Sequence, residues 1–367
     1  MTSMAQGGRT KNRYAMNATD IVHRVLDMER PNEKFAEIFK ENFECNILDK
    51  PDENTLIFEL IGIDVSVANA LRRILLSEVT TMAIQTVYFH DNSSIVQDEV
   101  LAHRIGLVPL KVDPAHFHDI KDPNNDEKTD LNTLVYKLDV TCRRKKPGTD
   151  IYKAGPGGEE TLDVDYTTLE NGMVRSGDLQ WVPQGTQEER LGGVPAKPVY
   201  DDIVLAKLRP GKRINLEVHA IRGIGKTHAK WSPVCTAHYR MMPEVKLVKE
   251  VYDEKAELLN ELEPGVFDVI AATPAEKKKG HTKKAVLKAT ESDPYLGSRN
   301  CSMSRNYMRD EVLKESVVIQ RVPDHFIFSI ESVGQLPPDE LFRRAVQVLK
   351  EKCSETIENL AGGGSAP

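Results

Sequence analysis

The strongest constraint on the fold lies between Pro337 and Gly362. Phe342, Ala345, Val346, Leu349, Cys353, Ile357 and Leu360 recur every three or four residues. Over about five turns of helix that spacing gathers them on one stripe. Pro337-Pro338-Asp339 opens the helix, because a proline in the first turn gives up only an N–H that has no partner there, and Gly362-Gly-Gly364 ends it. A stripe this long must be covered. Two covers stay open on pattern alone: the chain's own sheet, or a helix of another chain.

The elements before it alternate between strand and helix. Phe43–Leu48 and Thr55–Ile61 read as a hairpin across the turn-forming cluster Asp49-Lys-Pro-Asp-Glu-Asn54. Asp64 and Ser66 are N-cap candidates for a helix running to about Glu78. Val87–His90 and Leu134–Val140 read as strands, and Asp98–Ile105 as a short helix closed by Gly106 and Pro109. Polar, Gly/Pro-rich loops at 113–130, 145–160 and 183–198 surround them. Ile214–Ile221 alternates as a strand, and Phe326–Glu331 places Phe326, Phe328 and Ile330 on one face. A short helix is expected within Ile21–Phe39. These patterns give an α+β fold whose first domain is interrupted and later resumed. The expected parts are a polar extension over 1–42, a first domain at 43–80, 214–248 and 317–361, an insertion domain at 81–213, a flexible excursion at 249–316 and a tail at 362–367.

Charge then removes several functions. The chain of 367 residues carries 49 Lys and Arg against 56 Asp and Glu, a net −7. A protein that grips duplex nucleic acid by neutralising phosphates is usually basic, and aromatics at 6% make a poor platform for stacking bases. The basic runs Arg143-Arg-Lys-Lys146 and Lys277–Lys284 are short, and read as solvated loops or an import signal. The five cysteines at 45, 142, 235, 301 and 353 include no close pair, which excludes C-x-x-C ribbons and fits reduced thiols. The first twenty residues hold no apolar signal core, and no run reaches the roughly 18 apolar residues of a membrane span. An intracellular protein is expected, and the sequons at Asn17, Asn92 and Asn300 read as chance matches.

Three constellations bear on chemistry. Ala220-Ile-Arg-Gly-Ile-Gly-Lys-Thr227 follows a strand and imitates a phosphate-binding loop, which makes nucleotide binding through Gly223–Thr227 the alternative function. Ala220 occupies the first glycine's place, however, and Pro233 forbids the helix whose amino terminus would face the phosphates. His116 and His118 with Asp113 and Asp119 match no standard zinc spacing. No paired residues at hydrolase or metalloprotease spacing appear, so no catalytic residue, metal or cofactor is assigned. On the helix over 66–78, Val67, Ala70, Leu71, Ile74 and Leu75 form one stripe, while Asn69, Arg72 and Arg73 surround Leu76 opposite. That face is either an ordinary solvated surface or an interface, since arginine is enriched at interfaces.

Five blocks carry a resemblance. Ile63-Asp-Val-Ser-Val-Ala-Asn-Ala-Leu-Arg-Arg-Ile74, Gln97–Pro114, Leu205-Ala-Lys-Leu-Arg-Pro-Gly211, Gly223–Val234 and Phe326–Gly334 occur in order across residues 43–360. The sequence resembles the α-like subunits of multisubunit RNA polymerases. The polymerase II member usually carries a cysteine cluster after the block ending in Val-Pro-Leu. Lys111–Asp130 holds no cysteine here, so the chain looks like the larger α-like subunit shared by polymerases I and III, without a bound metal cluster. The resemblance implies a sheet-and-helix dimerisation domain cut by an insertion domain, and no catalytic residue. It implies a heterodimer with a smaller α-like subunit, docking of the second-largest and largest subunits, and residence in the nucleus and nucleolus. It also implies roles. Leu71, Ile74, Leu75, Phe342, Leu349 and Ile357 become candidates for the core and the dimer seam. Asn69, Arg72, Arg73, Arg209, His228, Lys230 and Trp231 become candidates for docking a large subunit.

Overall fold

The computed structural model describes residues 14–16, 21–22, 35–120, 128–148, 151–154, 160–291 and 293–361. These form two compact units, each assembled from separated stretches of chain. The first takes residues up to 49, 57–69 and 238–329; the second takes 50–56, 70–237 and those from 330 onward.

The first unit is organised on a six-stranded sheet. The expected hairpin is present: Glu44–Asp49 runs antiparallel to Thr55–Ile61, with Glu44 opposite Ile61 and Ile47 opposite Phe58. Thr55–Ile61 lies beside the long strand Val317–Ser332, which also pairs with Val234–Leu247 and Tyr14–Met16. Phe58 and Phe328 stack with centroids 5.3 Å apart, and Tyr239 packs against both Phe328 and Phe326. The helix expected within Ile21–Phe39 falls largely outside the described residues; Ile21–Val22 is a strand and Phe35–Asn42 a helix.

Residues 249–316 correct the sequence reading. They form the helix Asp253–Leu262, an antiparallel pair Phe267–Ala271 and Lys283–Leu287, and the helices Leu296–Asn300 and Glu311–Ser316. Val251, Leu259, Phe267, Ala285, Tyr307 and Leu313 are buried together with Val317 and Ile319 of the long strand. Apart from the ten-residue helix Asp253–Leu262, the elements there are too short to show a period, so most of its apolar residues acquire a common face only after the chain folds back.

The second unit contains a four-stranded antiparallel sheet in the order Gln180–Val182, Thr133–Thr141, Arg213–Ile224, Thr80–Asn92. Its inner face carries Ile214, Leu216, Val218 and Ala220, and these pack with Leu134, Tyr136 and Leu138 and with Leu101 and Ile105 of the helix Asp98–Gly106. Side chains alternate across a strand, so Asn215, Glu217 and His219 fall on the other face, less buried than their neighbours.

Candidate interaction surfaces

The helix Val65–Ser77 starts where its cap requires. Asp64 Oδ1 accepts the Ser66 amide at 2.8 Å, which supplies one of the first-turn N–H groups with a partner. Ala68, Leu71, Ile74 and Leu75 are buried, Leu75 completely. Leu71, Ile74 and Leu75 therefore belong to the chain's own core rather than to a seam, because the 3.6-residue period marks a buried stripe without saying what buries it. Asn69 and Arg72 are half-buried, and Arg73 is exposed.

The terminal helix Pro338–Ala361 changes character along its length. Pro338, Leu341 and Ala345 are buried, and Phe342 and Leu349 half-buried. Arg344 reaches Asp113 with two nitrogens at 3.0 Å each, and Lys352 reaches Glu78 at 2.8 Å. Burial alone would raise the Asp113 pKa, but the Arg344 guanidinium and the Ala115 amide outweigh it and hold the carboxyl below its usual value. Residues 351–361 are exposed throughout, including Ile357 at 65% and Leu360 at 80%. About three turns of helix thus carry apolar side chains that the described residues leave uncovered.

The glycine-rich turn is not a phosphate cradle. Arg213–Ile224 passes through a turn into a single 3-10 turn, Ala229–Trp231, and then the strand Val234–Leu247. No α-helix begins there, so no helix amino terminus faces the loop. The glycines serve packing instead. A Cβ on Gly223 would stand 2.4 Å from the Trp231 ring, and one on Gly225 2.4 Å from the Leu76 carbonyl oxygen. Lys226 N donates to Ser77 O at 2.8 Å, seating the turn on the end of the helix Val65–Ser77.

Trp231 and Lys230 also depart from the sequence reading. Trp231 is only 4% exposed, packs on Ala83 and Ile221, and donates its indole N–H to Ile221 O at 3.2 Å. Lys230 Nζ donates to Ile84 O at 2.9 Å and to Gln85, lying 4.4 Å from the Trp231 ring centroid. Burial brings its pKa down to about 8. Both side chains fasten the loop to its own sheet; Trp231 is buried and so withdrawn from a docking surface, while Lys230 is half-buried with its ammonium engaged. His228 remains exposed; its Nδ1 accepts the Lys230 amide at 3.0 Å, and its ring faces His103. Arg209 is exposed at a turn where Gly211 has φ +84, and its guanidinium donates to Tyr152 Oη at 2.8 Å. Of the histidine loop's carboxylates, Asp113 is taken by Arg344 and Asp119 pairs with Arg222 at 3.1 Å.

One cluster had no signal in the sequence. Glu59, buried on the strand Thr55–Ile61, accepts from Arg299 at 3.0 Å, His325 at 2.9 Å and Asn46 at 3.3 Å, and Arg299 also pairs with Asp293. Burial pushes Glu59 upward, but His325 and Arg299 prevail and hold it ionised below the usual range. Asn46 and Glu59 could be placed opposite one another from the hairpin. Arg299 and His325 lie more than two hundred residues further on, where only the tertiary fold brings them in.

Comparison with known proteins extends these observations. Residues 57–353 match the family described as the RNA polymerase Rpb3/Rpb11 dimerisation domain. The chain is 40% identical over 323 residues to "DNA-directed RNA polymerases I and III subunit RPAC1" of Mus musculus, covering 88% of this chain and 86% of that one. It is 40% identical over 348 residues to the Saccharomyces cerevisiae protein of the same name, covering 94% and 95%. Identity to "DNA-directed RNA polymerase II subunit rpb3" of Dictyostelium discoideum is 30% over 313 residues, covering 84% and 92%.

Proposed function

The chain belongs to the RNA polymerase Rpb3/Rpb11 dimerisation family, and from that premise we propose that it is a non-catalytic assembly subunit of nuclear RNA polymerases I and III. It pairs with a smaller α-like subunit, and the pair docks the second-largest and largest subunits for transcription of rRNA, 5S rRNA and tRNA. Its place is the nucleus, including the nucleolus. The domains keep their expected roles in this reading, with 43–80, 214–248 and 317–361 dimerising and 81–213 inserted. The observation that carries it is the outer end of the terminal helix, where Ile357 and Leu360 stand exposed among mostly polar and charged side chains. Such a stripe is what an obligate helix-pairing partner covers. Higher identity to the polymerase I and III relatives than to the polymerase II relative supports the assignment to those two enzymes.

Docking of the large subunits then falls to exposed Arg73 with Asn69 and Arg72, and to His228 and Arg209. Co-expression with the small α-like subunit, followed by capture of the second-largest subunit, tests the division. Arg72→Glu with Arg73→Glu leaves the heterodimer intact and abolishes capture. Loss of the heterodimer itself would show that the arginine face belongs to the dimer seam.

A further inference from the structure

Within the first unit lies a cavity of about 690 Å³ whose walls bring together three arginines, Arg240, Arg299 and Arg321, with Val65, Tyr239 and Met303. They come from three parts of the chain: the strand Val234–Leu247, the helix Leu296–Asn300 and the strand Val317–Ser332. Their charges are not equally balanced. Arg299 is neutralised by Glu59 and Asp293. Among the described residues Arg240 donates only to a carbonyl, Arg299 O, at 2.6 Å. Arg321 makes no ion pair among the described residues. Partial burial, with the nearby charge of Arg299, makes the protonated form of Arg240 costlier than it is in water.

Folding therefore brings exposed Arg240 and half-buried Arg321, neither ion-paired among the described residues, beside a third guanidinium, so the cavity presents charge-assisted donors to an anion. The rest of the lining mixes apolar Val65, Tyr239, Met241 and Met303 with polar Asn300 and Ser302. Met303 holds φ +61, a backbone conformation that a non-glycine residue adopts at a cost and that clusters at binding sites. The volume exceeds what one small oxyanion fills and suits several residues of peptide. We propose that this cavity docks an acidic peptide segment of another subunit, with Arg240 and Arg321 receiving its carboxylates, Asn300 and Ser302 its backbone, and the apolar lining its neighbouring side chains. The site is separate from the terminal-helix stripe and from the Arg72–Arg73 face. The proposal rests on the assembly reading only in taking the peptide's owner to be another polymerase subunit.

The test uses the full chain and a fluorescein-labelled hexaglutamate peptide, with anisotropy read in about 50 mM salt so that screening does not hide the contact. Saturable binding is expected. Arg240→Glu with Arg321→Glu weakens it by about tenfold or more, and Arg321→Gln alone by about threefold. Arg343→Gln, on the terminal helix, leaves it unchanged. Arg321→Gln should keep the native circular dichroism and melting temperature, which guards against reading misfolding as lost binding. Equal binding by the Arg321→Gln variant, equal binding of hexalysine, or displacement by inorganic phosphate as effective as by peptide would each overturn the proposal. Capture of the small α-like subunit is read alongside. Capture without peptide binding sinks the pocket alone, and peptide binding without capture sinks the assembly reading alone.

Discussion

Lys230 shows how a single residue can look like a contact in sequence and serve as a fastener in the fold. Beside an aromatic in a glycine-rich loop it resembles a partner-facing cation, yet its ammonium is spent on Ile84 O and Gln85. The consequence is a definite pH dependence. Burial lowers its pKa from 10.5 to about 8. Between those two values the unfolded chain binds the proton and the folded chain does not, so this residue's contribution to stability rises with pH across that window. Below pH 8 both states are protonated and the burial penalty is fully present. Urea unfolding of the native chain and of Lys230→Met at pH 7.5 and pH 10 checks this. The native chain should gain on the variant at the higher pH. Parallel behaviour at both would mean that the ammonium is solvated.

At the scale of elements, the two helices that carried the sequence reading divide their labour in a way periodicity could not reveal. Leu71, Ile74 and Leu75 are sealed within the chain, whereas the same kind of stripe on Pro338–Ala361 runs out into solvent beyond residue 350. Truncation should separate the two. Leu75→Ala removes a fully buried side chain and costs about 2–5 kcal/mol of unfolding free energy. Ile357→Asp with Leu360→Asp should change the isolated chain by no more than about 0.5 kcal/mol, since both sites are exposed, while abolishing capture of the small α-like subunit. Chemical denaturation and co-purification read the two effects independently. Hairpin, helix and strand positions were legible because caps, turn residues and periods are local. The region 249–316 was not, because its strands and helices are mostly five or six residues long and its basic run looks solvated, although Lys283 and Lys284 pair with Glu257, Glu250 and Glu276.

Over the whole molecule, each unit is stitched from distant stretches by a few polar contacts. In the first unit Arg299 holds Glu59 and Asp293, and in the second Arg344 holds Asp113 to the terminal helix. Such pairs matter most when one partner is removed. Arg299→Gln leaves the buried Glu59 carboxylate with reduced compensation and should cost about 3 kcal/mol of unfolding free energy, measured as a lower urea midpoint. An unchanged midpoint would mean that His325 and Asn46 satisfy Glu59 alone.

The sequence by itself determined the α+β class, the family and the two diagnostic helices, because those rest on local spacing and on blocks of residues read in order. It also excluded a phosphate-binding helix after Gly225, since Pro233 is a local constraint. Only the tertiary structure decided which stripe is core and which is bare. It turned Trp231 and Lys230 inward, gave 249–316 a core, and gathered Arg240, Arg299 and Arg321 around one cavity. Burial and ion pairing depend on chain segments separated by tens to hundreds of residues, and no local pattern encodes which of them will meet.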